Sequence, residues 1–445
     1  MDISTTARPT PESGAISREK RALPKADKYI WGIYLFLLVF SLIELYSASS
    51  REVTAANVFA PVLRHGKMLL IGLGITLGLS RVRFKWLVPA TPVFVAFAVA
   101  IGVYVLFKGQ IINGARRSMS LLGIPLQSAE LLKLAVVLFI AFVMSRTQER
   151  NGVKNSGIII SAGFVLLCGA ILFSQGLTNT LLLMGISFAM MLIAGVQTKK
   201  FIIVLVCYGV LAWAGQSYKH SHEEPESQAE TEAILTTGHD LQGNIATHDR
   251  KETWSARLER WWGDSIPKYQ QKIDAKNRQE MYSYMAQANG GWHGVLPGNS
   301  RETARLPLAF SDYIFAIIVE DWGFLGAVFL LVIYLALLGR AGAIAARCTK
   351  VFPALLVMGM AVMIVLQALF HMAIVTGVFP VSGQPLPLIS KGGSSIICTS
   401  IAFGIMLSVS RFAGQKKKMK KNAETESAVQ EELPDNMTAP NPTQL

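Results

Sequence analysis

The sequence of 445 residues is poor in cysteine and in charge. Charged residues make up only 16% of the chain, and it has only four cysteines. The cysteines lie singly within or beside apolar segments and lack the close spacing of metal ligands. This argues against a zinc site or a disulfide framework and favours buried small hydrophobic residues. They are Cys168, Cys207, Cys348 and Cys398.

The chain instead has long hydrophobic segments, and 51% of its residues are hydrophobic. Segments of about 17 to 25 apolar residues are long enough to cross a bilayer as helices. The sequence therefore predicts an all-α polytopic membrane protein with about ten transmembrane helices, of which the second, seventh and tenth are short or interrupted. The predicted spans are 29–48, 62–80, 87–107, 128–145, 157–174, 179–195, 201–215, 322–340, 354–379 and 394–410.

Acidic residues are scarce relative to basic ones: the chain has 29 Asp and Glu but 42 Lys and Arg, which gives a net charge of +13. The basic residues cluster in alternate connections and beside the first and last spans, as cytoplasmic loops do. We therefore predict that both termini are cytoplasmic and that the surplus charge lies near anionic membrane lipids. No basic stripe is interleaved with aromatic residues away from the membrane, so nucleic acid is not an expected partner.

The regions outside the spans differ in composition. Residues 1–28 lack the apolar core of a cleavable signal peptide, so we expect a disordered cytoplasmic tail before a transmembrane domain at 29–413. Residues 414–445 are basic and then polar, which predicts a second disordered tail. Residues 216–305, between predicted helices 7 and 8, form a large extracytoplasmic loop. Three of its histidines, with nearby acidic residues, could be read as metal ligands, but their polar surroundings favour solvated side chains. They are His220, His222 and His239.

Polar residues at membrane depth are costly unless they are paired or face a cavity, so they indicate functional positions. The first such cluster spans 113–139, where an outward loop enters a span. Glu130 and Lys133 are three residues apart and can pair on one helix face, with Arg116 and Arg117 just before them. Two readings follow, a structural ion pair inside the bundle or a site for an anionic substrate.

The second cluster is a loop rich in glycine and proline that leads into LPLAFSDYIFAIIVEDWG, residues 306–323. Ser311 or Asp312 could cap a helix that runs through Glu320. On such a helix Asp312 and Glu320 would be about 12 Å apart along the axis, too far for an acid and base pair in contact. Asp312, at the outer mouth, is then either a helix cap or a catalytic group, whereas Glu320 orients helices.

The third cluster spans 377–400, another outward segment rich in proline and glycine. Its prolines exclude a continuous helix, and non-helical backbone at this depth must be buried in protein or line a cavity. By the predicted topology all three clusters open on the outer side. The polar residues of this segment are Ser390, Lys391, Ser394 and Ser395.

The three clusters resemble the signature regions of the SEDS family (shape, elongation, division, sporulation) over about residues 29–413. The final GGSS and the overall layout are more similar to the division members than to the elongation members. The matching stretches are NGARRSMSLLGIPLQSAELLKL at 113–134, GVLPGNSRETARLPLAFSDYIFAIIVEDWG at 294–323 and PVSGQPLPLISKGGSS at 380–395.

The resemblance implies a peptidoglycan glycosyltransferase of the bacterial inner membrane that polymerises lipid II at the division septum. The partners implied are a class B penicillin-binding protein, which is a transpeptidase, and other membrane proteins of the division machinery. Asp312 falls on the family's catalytic base, and Glu130 and Lys133 fall on its intramembrane charged pair. The chain departs from many relatives at Lys391, where they have tyrosine, at SQGLTNT, 174–180, and in its long 216–305 loop.

The implied reaction is a single inverting displacement of polyprenyl pyrophosphate by a sugar hydroxyl, which needs one general base. We assign the base to Asp312. The leaving pyrophosphate is expected to be stabilised by Arg116, Arg117 and Lys391, with Ser394 and Ser395 nearby, or by a divalent cation such as Mg²⁺ or Mn²⁺. Two alternatives remain open, a lipid II flippase and a non-catalytic division scaffold.

Overall fold

The structure is a computed structural model. Residues 1–23 of the predicted N-terminal tail, the predicted C-terminal tail, most of the 216–305 loop and the histidines at 220, 222 and 239 lie outside the residues that it describes. The described residues are 24–48, 60–112, 115–121, 124–150, 152–173, 175–209, 261–262, 270–274, 277–306 and 309–413.

Apolar helices dominate the described chain, as the hydrophobic segments predict. In chain order they are α1 Lys28–Ala48, α2 Ala60–Arg81, α3 Leu87–Lys108, α4 Ser128–Arg146, α5 Asn155–Phe173, α6 Leu177–Ile193, α7 from 198 and described to 209, α8 Arg278–Gly290, α9 Ile314–Ala345, α10 Val351–Val375 and α11 Gly393–Phe412. A short 3-10 helix, Phe84–Trp86, precedes α3.

Eight of these helices, α1 to α5 and α9 to α11, are long and apolar enough to cross a membrane. Helix α6 is apolar but has only 17 residues, and α7 continues into residues that are not described. A polytopic helical membrane protein is therefore confirmed. The count of ten spans stays a prediction.

Helix α4 lies at the centre of the bundle, where it contacts α3, α5, α6, α10 and α11. Almost all of its side chains are buried, including Leu132, Val136 and Ile140. Lipid is as apolar as these side chains, so close packing rather than the hydrophobic effect holds such a helix in place. A charged residue on α4 therefore faces protein and not lipid.

The connection between α3 and α4 is a small antiparallel sheet, whereas the sequence predicted only an outward loop. Its strands are β1 Gln110–Ile112, β2 Ala115–Leu121 and β3 Ile124–Gln127, in the order β1-β2-β3. From Ser118 to Leu121 the polar and apolar residues of β2 alternate, a period of two that favours a strand over a helix. A second hairpin, β4 Gln148–Glu149 with β5 Gly152–Val153, joins α4 to α5.

Helix α9 begins at Ile314, eight residues before the predicted span, with Tyr313 as its N-cap and no side-chain cap. The prediction that Ser311 or Asp312 caps this helix is therefore wrong. The helix breaks at Gly323, whose φ of 69° lies in the left-handed region. A side chain at that position would collide with the backbone of Trp292 and its neighbours.

The break in α9 is filled by the loop that follows α8. Main-chain N–H groups of Phe324 and Leu325 donate to the carbonyls of Gly291 and Trp292. In return, the carbonyl of Glu320 accepts from the loop, at Val295. The main-chain groups freed by the kink are thus paired with the loop, as backbone at membrane depth requires.

Candidate functional site

Asp312 lies just before α9 and is half-buried. The Ser311 hydroxyl donates to its Oδ1 at 3.1 Å. Its other oxygen faces Gly383, where an added Cβ would stand only 2.8 Å from Oδ2. Burial raises the pKa of Asp312, and the Ser311 hydrogen bond and the nearby Arg117 guanidinium oppose that rise. The carboxylate is thus held on two sides and is a stronger proton acceptor than an exposed aspartate.

The backbone next to Asp312 is tied to the polar segment before α11. The Ser390 hydroxyl donates to the carbonyl of Ser311 at 2.7 Å. The main-chain N–H of Lys391 donates to the carbonyl of Phe310 at 2.9 Å. Two of the three predicted clusters therefore meet at Asp312.

The segment before α11 is itself tethered to the spans. Leu388 adopts a φ of 64°, which is rare for a branched residue. On either side of it the carbonyls accept side-chain hydrogen bonds, from Tyr334 of α9 to Pro387 at 2.7 Å and from Ser41 of α1 to Ile389 at 3.1 Å. These tethers hold an otherwise costly turn in one conformation.

Lys391 and the two serines after the paired glycines lie at the start of α11. The Lys391 ammonium stands over the Phe310 ring, 4.4 Å from its centroid, and interacts electrostatically with His65 of α2. Ser394 and Ser395 are buried, and the Ser395 hydroxyl has no hydrogen-bond partner among the described residues. Lys391 thus lies beside the segment that carries Asp312, while the predicted substrate contacts of the serines stay predictions.

Arg117, on β2, brings the first cluster to the site. Its Nε donates to the carbonyl of Gln175 at 3.0 Å, and the Gln175 side chain accepts from Ser128 at 2.8 Å. Gln175 thus orients Arg117, a cation that acts electrostatically on Asp312. Arg116 pairs with Ile111 through the sheet, and its side chain lies outside the described residues.

The predicted ion pair of α4 is present and fully enclosed. The Lys133 ammonium lies 2.7 Å from Glu130 Oε1, and the two side chains are 0% and 5% exposed. Lys133 also donates to Gln367 Oε1 of α10 at 2.9 Å. This arrangement agrees with the reading of a structural ion pair inside the bundle.

Glu320 is occupied with holding the loop before Asp312. Its carboxylate accepts from the Asn289 side chain of α8 at 3.2 Å and from the main-chain N–H of Arg301 at 3.0 Å. The Ser300 hydroxyl donates to it as well. Glu320 therefore fixes both a neighbouring helix and the loop, and it makes no described contact with Asp312.

A metal site made of protein ligands alone is not evident in the part of the chain that the structure describes. No three His, Cys, Asp or Glu side chains converge there. Mg²⁺ commonly takes only one or two carboxylates and completes its coordination with substrate phosphates and water. A divalent cation at this site would therefore be held largely by the oxygens of a pyrophosphate substrate.

Comparison with known proteins decides the family. The model of the family described as "Cell cycle protein", which groups FtsW, RodA and SpoVE, matches residues 27–228 and 244–415. This chain belongs to that family. Among FtsW/RodA/SpoVE proteins it is similar to the probable peptidoglycan glycosyltransferase FtsW of Halomonas elongata, with 26% identity over 86% of this chain and 90% of that one. The corresponding protein of Geobacter sp. strain M18 is 27% identical over 86% of this chain and 96% of that one.

Two solved structures have the same fold. The rod shape determining protein RodA of Thermus thermophilus aligns with a TM-score of 0.59 and 20% identity over 88% of this chain and 98% of that one. A chain of a peptidoglycan synthase complex that coordinates polymerization and crosslinking aligns with a TM-score of 0.61 and 22% identity, over 88% and 99%. The bundle described above is therefore the fold of the FtsW/RodA/SpoVE family.

Four residues of the site were not singled out from the sequence: Gln175, Gln367, Gly383 and His371, whose Nδ1 donates to the carbonyl of Gln384 at 2.6 Å beside Gly383. Gln367 and His371 carry a signal that could have found them, because they are polar residues four apart within the apolar helix α10. Gln175 and Gly383 lie in loops, where polar residues and glycine are ordinary, so nothing in the pattern marks them.

Proposed function

We propose that this protein is an inverting peptidoglycan glycosyltransferase that polymerises lipid II, with Asp312 as its general base. The observation that carries the proposal is the setting of the Asp312 carboxylate, between the Ser311 hydroxyl and Gly383 and close to Arg117. The names of the FtsW relatives support the same activity.

In the proposed reaction a sugar hydroxyl of one lipid-linked saccharide attacks the anomeric carbon of another. Asp312 takes the hydroxyl proton as the new glycosidic bond forms. The bond from the anomeric carbon to the pyrophosphate oxygen breaks, and undecaprenyl pyrophosphate leaves with the bonding electrons. One displacement inverts the configuration, so no covalent nucleophile is required. Burial supports this role, because a raised pKa makes the Asp312 carboxylate a better proton acceptor.

The leaving pyrophosphate needs positive charge, and the chain offers it in Arg117 and Lys391. Arg117 is oriented by Gln175, and Lys391 lies at the end of the tethered segment. Arg116, the neighbour of Arg117 on β2, is a third candidate. We propose that a Mg²⁺ or Mn²⁺ ion, bound through the pyrophosphate oxygens of lipid II, would add positive charge to that of these side chains. Polymerisation should then stop in EDTA and return with either ion.

We propose further that the protein works in the bacterial inner membrane at the division septum, with both termini cytoplasmic and Asp312 on the outer face. The distribution of Lys and Arg supports this orientation. The proposed partner is a class B penicillin-binding protein, within a larger assembly of division membrane proteins. The likeness to a chain of a peptidoglycan synthase complex is consistent with such a partner.

The decisive experiment is polymerisation of fluorescent lipid II by the protein with its transpeptidase partner, comparing wild type with Asp312→Asn. Asp274→Asn is the matched control, because Asp274 is exposed and lies in the loop before α8. We expect polymer from wild type and the control, and at least about 100-fold less from Asp312→Asn. Equal polymer from all three would show that Asp312 is not the base. No polymer from an intact wild-type complex would favour a flippase or a scaffold.

A further inference from the structure

Gln367 of α10 forms a bridge between the buried ion pair and the loop beside Asp312. Its Oε1 accepts from Lys133 at 2.9 Å, and its Nε2 lies 3.3 Å from Glu130 Oε1. The same Nε2 lies 3.3 Å from the carbonyl of Pro385. Lys133 has only donors, so it requires the amide oxygen, and this turns the amide N–H₂ towards Pro385.

One turn further along α10, His371 hydrogen-bonds the carbonyl of Gln384, the residue before Pro385. Its Nδ1 donates to the carbonyl of Gln384 at 2.6 Å, and the residue is buried. The Gln384 side chain in turn donates to Asn179 of α6 at 3.0 Å. Gln384 and Pro385, which lie in a segment without helix or strand, are therefore held by three hydrogen bonds to α10 and α6.

The residue just before this fastened pair is Gly383, which packs against the catalytic carboxylate. An added Cβ there would lie 2.8 Å from Asp312 Oδ2 and 3.3 Å from its Cγ. A shift of the loop by a fraction of an ångström therefore changes the space available to the carboxylate. The hydrogen bonds at Gln384 and Pro385 fix the position of the 383–385 segment beside the Asp312 carboxylate.

We propose that Gln367 is a positioning residue for Asp312, and that the ion pair of Glu130 and Lys133 serves to orient Gln367 rather than to hold the substrate. The proposal rests on the function proposed above. It also accounts for the ion pair itself, since a buried pair contributes little net stability but can specify one arrangement of the groups around it. Here the ion pair specifies the position of the 383–385 segment beside Asp312.

The sharpest test exchanges the two acceptors of Lys133. In Gln367→Leu, the loop loses the N–H₂ that holds Pro385. In the double variant Glu130→Gln with Gln367→Glu, Lys133 keeps two acceptors and one carboxylate, but residue 367 has no N–H to donate to Pro385. The double variant therefore keeps one carboxylate beside Lys133 but lacks the hydrogen bond from residue 367 to the carbonyl of Pro385.

Two readouts are measured on the full chain with its partner: lipid II polymerisation, resolved into kcat and KM, and hydrogen exchange of residues 376–392 without substrate. Both Gln367→Leu and the double variant should lower kcat by about 10- to 100-fold with KM nearly unchanged, and should speed exchange in this segment. His371→Leu, which leaves the ion pair untouched, should act in the same direction. Met363→Leu, a swap of similar volume on the same helix, should change neither readout.

Recovery of wild-type kcat and exchange in the double variant would overturn the proposal, because charge alone would then be sufficient. Wild-type exchange in both Gln367→Leu and His371→Leu would also overturn it. If Gln367→Leu fails to fold, the double variant and His371→Leu still decide the question. If the wild-type complex makes no polymer, the proposed function fails, but hydrogen exchange still tests whether Gln367 holds the 383–385 segment.

Discussion

Gly383→Ala is the substitution that most directly tests the geometry at Asp312. The new Cβ would stand 2.8 Å from Asp312 Oδ2, whereas ordinary contacts begin near 3.4 Å. The side-chain carboxylate is the softer partner, so it must move by roughly half an ångström. Misplacing a reacting group by about 1 Å can cost 100-fold in rate. We therefore expect kcat for lipid II polymerisation to fall by about 10- to 100-fold, or about 1.4 to 2.7 kcal/mol.

Gly392→Ala is the matched control, because it lies in the same segment and its added Cβ meets only Ser395 at an ordinary 3.6 Å. Both variants should fold and bind the partner, since neither glycine has a left-handed φ. The assay is the initial rate of polymer formation at saturating lipid II with matched amounts of complex. A Gly383→Ala enzyme as fast as Gly392→Ala would refute the reasoning, because the carboxylate would then not act from the position described.

Three further predictions concern the same site. Burial raises the pKa of Asp312, so polymerisation should fall as the pH drops through that raised value. The ionised Asp312 carboxylate also lowers the stability of the folded protein as the pH rises. Thermal denaturation in detergent at neutral pH should therefore show that Asp312→Asn melts no lower than wild type. Arg117→Ala removes a charge that favours ionised Asp312, so the pH–rate profile should move to higher pH. Glu320→Gln places an N–H₂ among donors, so hydrogen exchange at 298–302 should increase.

The features that the sequence predicted correctly are those with local causes. Hydrophobic length alone located most of the spans to within a few residues, because lipid imposes a helix on any long apolar segment. The ion pair of Glu130 and Lys133 follows from a spacing of three on one helix. A helix through Glu320 was predicted, but its span was begun at 322 because the sequence does not show that the loop at 291–296 joins the two parts of α9 across the Gly323 break.

The remaining features of the site arise from contacts between distant parts of the chain, which periodicity does not record. Gln367 meets Lys133 across 234 residues, and Gly383 meets Asp312 through a loop whose composition is ordinary. A polar side chain inside an apolar span shows that a partner must exist, since an unpaired group there is costly, but it does not say which partner. Because the 383–385 segment beside Asp312 is hydrogen-bonded to α10 and α6, the helix bundle helps to position the proposed base together with Ser311. Substitutions on α10, away from Asp312, should therefore alter the rate of the proposed reaction.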